Sequence, residues 1–89
     1  MKKLFTTACF VLALSGAAFG GSDDCEELWA ERNSYYKEAG YCFQTPRAID
    51  YFGNGGCRTA NQASLYLPNA VRARIAAIAR MERQLACNY

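Results

Sequence analysis

Histidine is absent from all 89 residues of this chain. With it go the commonest general acid–base group near neutral pH and the commonest nitrogen ligand of zinc. No Cys-x-x-Cys pair occurs, which removes the usual dithiol redox site. A phosphate-binding glycine loop and a serine elbow are missing too, since Gly53-Asn54-Gly55-Gly56 follows no strand pattern. The apolar run from Leu4 to Leu14 is broken by Thr6 and Thr7 and falls short of the roughly 20 residues that span a bilayer as a helix. Proline occurs only as Pro46 and Pro68. Each of these reads as a helix start.

What is present begins with a secretory pattern. Lys2 and Lys3 precede the apolar run, and Ser15, Gly16, Ala17, Ala18 and Gly20 supply the small residues of a cleavage region. A signal peptide over 1–20 is expected, with a single domain over 21–89 and no transmembrane segment after cleavage. Cys9 does not read as a lipoprotein site, because it lies too early and Thr6 and Thr7 stand where an apolar and a small residue belong. Removing Lys2 and Lys3 with the leader leaves eight basic residues against eight acidic ones. A formally neutral chain carries no whole-molecule argument for nucleic acid. A domain this short buries little surface and needs staples.

The helical pattern is all-α. Ser22, Asp23 and Asp24 are N-cap candidates, with Glu26 and Glu27 expected in the first turn, where the helix dipole favours negative charge. Cys25, Leu28, Trp29, Arg32, Tyr36 and Ala39 then recur at helical spacing, with Tyr35 beside them, and Gly40 stops the pattern. The first helix is expected over 24–39. Thr45-Pro46 opens a short second helix, 46–52, expected to bury Ile49 and Phe52. Asn61 to Leu67 has room for one helical turn. A third helix is expected over 68–86, its stripe made of Val71, Ile75, Ile78 and Leu85, with Met81 alongside.

Four cysteines remain in the expected domain: Cys25, Cys42, Cys57 and Cys87. An even number in a short exported chain reads as two disulfides, each contributing about 3 to 4 kcal/mol by loop entropy. Cys25 and Cys42 lie at opposite ends of the first helix, roughly 25 Å apart at its rise per residue, against ~6 Å between bridged Cα atoms. Two pairings stay open. The nested one, Cys25–Cys87 with Cys42–Cys57, makes the long helices antiparallel and brings Asp24, Glu26 and Glu27 towards Arg80 and Arg83. The crossed one, Cys25–Cys57 with Cys42–Cys87, makes them parallel, so charge placement favours the nested form. Spacings of 17, 15 and 30 lack the two close pairs of a zinc site. No metal and no cofactor are expected.

The run Trp29 to Phe43 resembles the YARHG domain, a small module of exported bacterial proteins named for a Tyr-Ala-Arg-His-Gly string. Arg32 and Asn33 match the pair that precedes the string, Tyr36 and Gly40 its first and last letters, and Tyr41 and Phe43 the trailing aromatics. Tyr51-Phe52 matches a later Tyr-Phe, so the resemblance covers 28–53. Lys37, Glu38 and Ala39 replace the middle letters, so the name-giving histidine is absent, and Gly55-Gly56-Cys57 stands near the place of a Trp-Tyr feature. The resemblance implies a cell-envelope protein, periplasmic or secreted.

The motif residues themselves read as structural. Tyr36, Tyr41, Phe43 and Phe52 are bulky enough to build a core from few residues. Arg32 is expected to reach a carboxylate or exposed carbonyls and to fix the turn after Gly40. No residue is assigned a catalytic role. Tyr35, Tyr51, Tyr66 and Tyr89 are candidates to face outwards and to stack on sugar rings or anchor a protein. The expectation is a non-catalytic binding module with peptidoglycan or an envelope protein as partner. The alternative is a small secreted inhibitor or assembly partner of another envelope protein.

Overall fold

A computed structural model describes residues 21–88, with side chains from Asp23 onward. The expected leader and Tyr89 lie outside the described residues. The elements are α1 (Gly21–Ala39), α2 (Pro46–Phe52), a 3-10 turn (Gln62–Ser64) and α3 (Asn69–Gln84). Among the described residues there is no strand, only an isolated parallel bridge between Tyr41 and Thr59.

α1 begins earlier than expected. Asp23 and Asp24 stand inside its first turn rather than before it, where their charge meets the positive end of the helix dipole. Its far end is a complete Schellman closure. Gly40 donates to the Lys37 carbonyl at 3.1 Å and Tyr41 to the Tyr36 carbonyl at 3.0 Å, while the Tyr36 and Tyr41 rings pack 6.0 Å apart.

α2 has the expected bounds. The Thr45 hydroxyl accepts the Ala48 N–H at 3.2 Å, and the Gly53 N–H closes the helix on the Ile49 carbonyl at 2.8 Å. Its buried face differs from the expectation. Ala48 is buried and Phe52 packs on the core, whereas Ile49 is 40% exposed. Residues 48 and 52 share one face at a separation of four, and position 49 lies about 100° further round.

α3 is shorter than expected at both ends. Pro68, with ψ at 155°, is the cap residue and not the first helical one. At the other end Leu85 is 43% exposed and Ala86 enters the left-handed region at φ 57°. A second Schellman closure follows, with Ala86 donating to Arg83 and Cys87 to Glu82 at 3.1 and 2.8 Å.

Two disulfides hold these parts. Cys25 pairs with Cys87 and Cys42 with Cys57, the nested arrangement, with Cα separations of 5.6 and 5.1 Å. The first joins the start of α1 to the end of α3, so the long helices run antiparallel. The principal core is Trp29, Phe43 and Ala48, with Ala30, Tyr36, Tyr41 and Phe52 packed on it. Ile78 is fully buried, and Leu65 and Leu67 are buried on the approach to α3.

The charge contacts between helices differ from the expected ones. Glu26 pairs with Arg47 of α2, and the pairs joining α1 to α3 are Glu31–Arg74 and Arg32–Glu82. Arg74, Ile78 and Glu82 are spaced by four and form one row along α3. Burying Ile78 therefore turns Arg74 and Glu82 towards α1, and Arg80 and Arg83 stay exposed.

Candidate functional site

The motif residues converge on the corner between α1 and α2. Arg32 lies on the inner face of α1 and forks onto Glu82, with Nε donating to Oε1 at 2.8 Å and Nη2 to Oε2 at 3.2 Å. Glu82 is buried, so this is a charge pair largely withdrawn from water. The carboxylate half of the expectation for Arg32 holds, and the turn half does not.

The turn belongs to Arg58. Its backbone N–H donates to the Gly40 carbonyl at 2.7 Å and its Nη2 to the Ala39 carbonyl at 2.6 Å. The guanidinium crosses so close to Gly40 that a Cβ there would sit 2.9 Å from Arg58 Nε. Gly40 also has φ 97°, so both space and backbone call for glycine. The position of the family's histidine is Ala39, whose carbonyl is this anchor.

Asn33 is buried and donates through Nδ2 to the Trp29 carbonyl at 3.0 Å. Cys42 then donates to the Thr59 carbonyl at 2.7 Å, and its disulfide to Cys57 pins the corner to the glycine turn. Asn54 completes it by bracketing Phe43. Its Oδ1 accepts the Phe43 N–H at 2.8 Å, and its Nδ2 donates to the Phe43 carbonyl at 3.0 Å. One side chain thereby satisfies both backbone groups of a buried aromatic residue. Lys37 Nζ donates to the Gly53 carbonyl at 3.1 Å, tying the end of α1 to the same turn.

The aromatic residues form a continuous train. Phe43 stacks on Phe52 with centroids 5.0 Å apart, and Tyr41 meets Phe43 edge-on at 5.1 Å. Trp29 receives Phe52 at 5.8 Å and the Tyr51 edge at 5.4 Å. Arg47 lies over the Trp29 ring, 3.9 Å from its centroid.

A groove of about 290 Å³ opens on this corner. Trp29, Asn33, Phe43 and Ala48, all buried, make its floor. Arg32, Tyr41, Gln44, Thr45 and Gln62 make its rim. Four motif residues therefore meet in one concavity: Arg32, Asn33, Tyr41 and Phe43. Tyr36 and Gly40 shape the turn beside it, and Tyr51 and Phe52 reach Trp29 without joining the lining.

Of the four outward candidates, Tyr66 is 80% and Tyr51 60% exposed. Tyr35 is half-buried and engaged, its hydroxyl donating to Glu31 Oε2 at 2.7 Å. Arg74 forks onto the same carboxylate at 2.7 and 2.8 Å. These two donors, Arg74 first and Tyr35 second, hold the Glu31 carboxyl down at about 2. The bond to the carboxylate pushes the Tyr35 hydroxyl up from its ordinary value.

Glu82, Arg58 and Asn54 escaped sequence reasoning. Glu82 left a signal, because it fills the gap between Ile78 and Leu85 on an otherwise apolar stripe. Arg58 and Asn54 act through a chain reversal that no periodicity marks.

Fold and corner together define a small all-α domain clamped by two disulfides around a tyrosine-rich turn. The YARHG domain model matches residues 9–83, and the chain belongs to that family. The match runs well beyond 28–53 and takes in Glu82, Arg74 and Arg58. It also begins ahead of the expected domain start at 21. No curated protein and no solved structure matches the chain. Family and disulfides are compatible with an extracytoplasmic location. Among the described residues no helix is long and apolar enough to cross a membrane.

Proposed function

We propose that the chain is an exported, non-catalytic binding module of the bacterial cell envelope, periplasmic or secreted, that associates with the cell wall. The observation that carries this reading is the exposure of Tyr51 and Tyr66, at 60% and 80%, on a frame held by two disulfides. A tyrosine ring offers a flat apolar face to a sugar at little conformational cost, and a rigid support lowers that cost further. A chain without histidine is better suited to holding a ligand than to moving protons on it.

Retention of the oxidised protein on purified peptidoglycan tests the proposal. The wild type is expected to be retained, and Tyr51→Ala and Tyr66→Ala to weaken retention about tenfold where the ring makes contact. No retention, together with recovery of one discrete partner from envelope protein extract, would replace the wall reading with the inhibitor or assembly-partner reading.

A further inference from the structure

The groove at the motif corner holds a buried polar atom that has no partner among the described residues. Asn33 is only 8% exposed. Its Nδ2 faces the Trp29 carbonyl, an assignment fixed by chemistry because a carbonyl can only accept. Asn33 Oδ1 is left with no hydrogen-bond donor among the described residues. Buried acceptors in that state are uncommon enough to call for a reason.

Beside it on the rim stands Arg32. Nε and Nη2 are committed to Glu82, while Nη1 makes no hydrogen bond among the described residues. The groove therefore offers one acceptor and one charged donor above a floor of Trp29, Phe43 and Ala48. That set is complementary to a secondary amide carrying a small apolar group. The amide N–H meets Asn33 Oδ1, the amide carbonyl meets Arg32 Nη1, and a methyl covers the apolar floor. Its volume, about 290 Å³, suits one residue-sized unit rather than an extended chain. Gln44, Thr45 and Gln62 on the rim are neutral and can exchange hydrogen bonds with ring hydroxyls.

The geometry points to a binding subsite for an N-acetylated amino sugar, with Asn33 and Arg32 reading the acetamido group. Its choice of sugar over peptide rests on the wall-associated function proposed above.

The probe is the trimer of N-acetylglucosamine, titrated into the oxidised full chain and compared with the same trimer lacking its acetyl groups. Trp29 is the only tryptophan and lies in the groove floor, so its fluorescence and indole N–H resonance report on groove occupancy. Because Tyr51 also touches the indole from outside the lining, the response must persist in Tyr51→Ala. A saturable change with Kd on the order of millimolar is expected, at least about tenfold weaker without the acetyl groups. Asn33→Leu should abolish the response. Because Asn33 also supports Trp29, the exposed rim variant Gln62→Phe serves as the second test and should weaken binding about tenfold while leaving the fold intact. No Trp29 response, an equal response to the deacetylated trimer, or a stronger response to an N-acetylated dipeptide would each overturn the subsite. Retention on peptidoglycan without a Trp29 response removes the subsite alone. A Trp29 response without retention removes the wall reading alone.

Discussion

Arg32→Ala should be a strongly damaging substitution for a polar residue of this domain. It would strip the fork from Glu82, a carboxylate with 9% side-chain exposure, while Arg32 itself is 26% exposed. Breaking a fully buried pair from one side costs about 3 to 5 kcal/mol, and the partial exposure of Arg32 brings this to about 2 to 3 kcal/mol. A domain of this size has a total stability of roughly 3 to 10 kcal/mol, so the loss is a large share of the whole. The melting temperature should fall by roughly 10 to 20 °C. Circular dichroism of the oxidised protein, with heat and urea, measures both quantities. Glu82→Gln should cost less, because the amide still accepts from Arg32 and the guanidinium left behind is partly wet. The double variant Arg32→Met, Glu82→Met should return to within about 1 kcal/mol of wild type, since matched apolar groups need no partner. A fall of less than about 3 °C for Arg32→Ala would refute the reasoning. So would additive single and double variants, with coupling below about 0.5 kcal/mol.

Gly40→Ala should destabilise by about 2 kcal/mol through its positive φ and the Arg58 contact, and adding Arg58→Ala should relieve the steric part while leaving the backbone part, as urea midpoints would show. Ala86→Gly should stabilise the fold by about 0.5 to 1 kcal/mol and so raise the urea midpoint, because the left-handed closure of α3 is occupied by a residue with a Cβ; an unchanged or lower midpoint would count against that strain. The Glu31 carboxyl, held at about 2 against an ordinary 4.5, favours the folded state above pH 4.5 and loses that contribution as pH falls through about 2. Tyr35, pushed up by the same bond, contributes below pH 10 and loses its share as pH rises through its own raised value. Both effects on stability are small because the cluster is exposed, so NMR titration of the Glu31 side chain is the sharper measurement. Arg74→Ala should carry its midpoint up towards the ordinary carboxylate value, and a wild-type midpoint already near 4.5 would dismiss the cluster.

Helix extents were legible because their signals are local. Gly40, Thr45-Pro46 and Pro68 punctuate the chain within a residue or so of the observed boundaries, and the length of α1 alone separates Cys25 from Cys42. Tertiary facing was less legible. Hydrophobicity marks Ile49 as a core residue, yet Ala48 takes that place, because which face of a two-turn helix is buried depends on the docking angle against Trp29. The contacts of Arg58 and Asn54 with the Gly40 and Phe43 backbone arise from the reversal between Gly53 and Thr59, and side chains that satisfy backbone groups across such a reversal have no period to betray them. The Arg32–Glu82 pair is intermediate. Each charge interrupts an apolar stripe, one on α1 and one on α3, and two opposite charges so placed have few ways to be buried except together.

That pairing also answers why the helices meet in one register. α1 is acidic overall and α3 is basic, so uniform attraction would permit many offsets. The interface instead uses the single acid of α3, Glu82, against an arginine of α1, while the adjacent Glu31 takes Arg74 two turns away. Two contacts of opposite polarity cannot both survive a slide of two turns, which would set Glu82 against Glu31. Cys25–Cys87 closes a 62-residue separation, worth about 4 kcal/mol against the open chain, but a flexible link at the helix ends does not choose among small offsets. The ion pairs make that choice. Arg32 is thereby held from α3 by one edge of its guanidinium while the residue lines the groove at the motif corner. Whatever the groove binds is read by a side chain whose orientation was set by the packing of the two long helices.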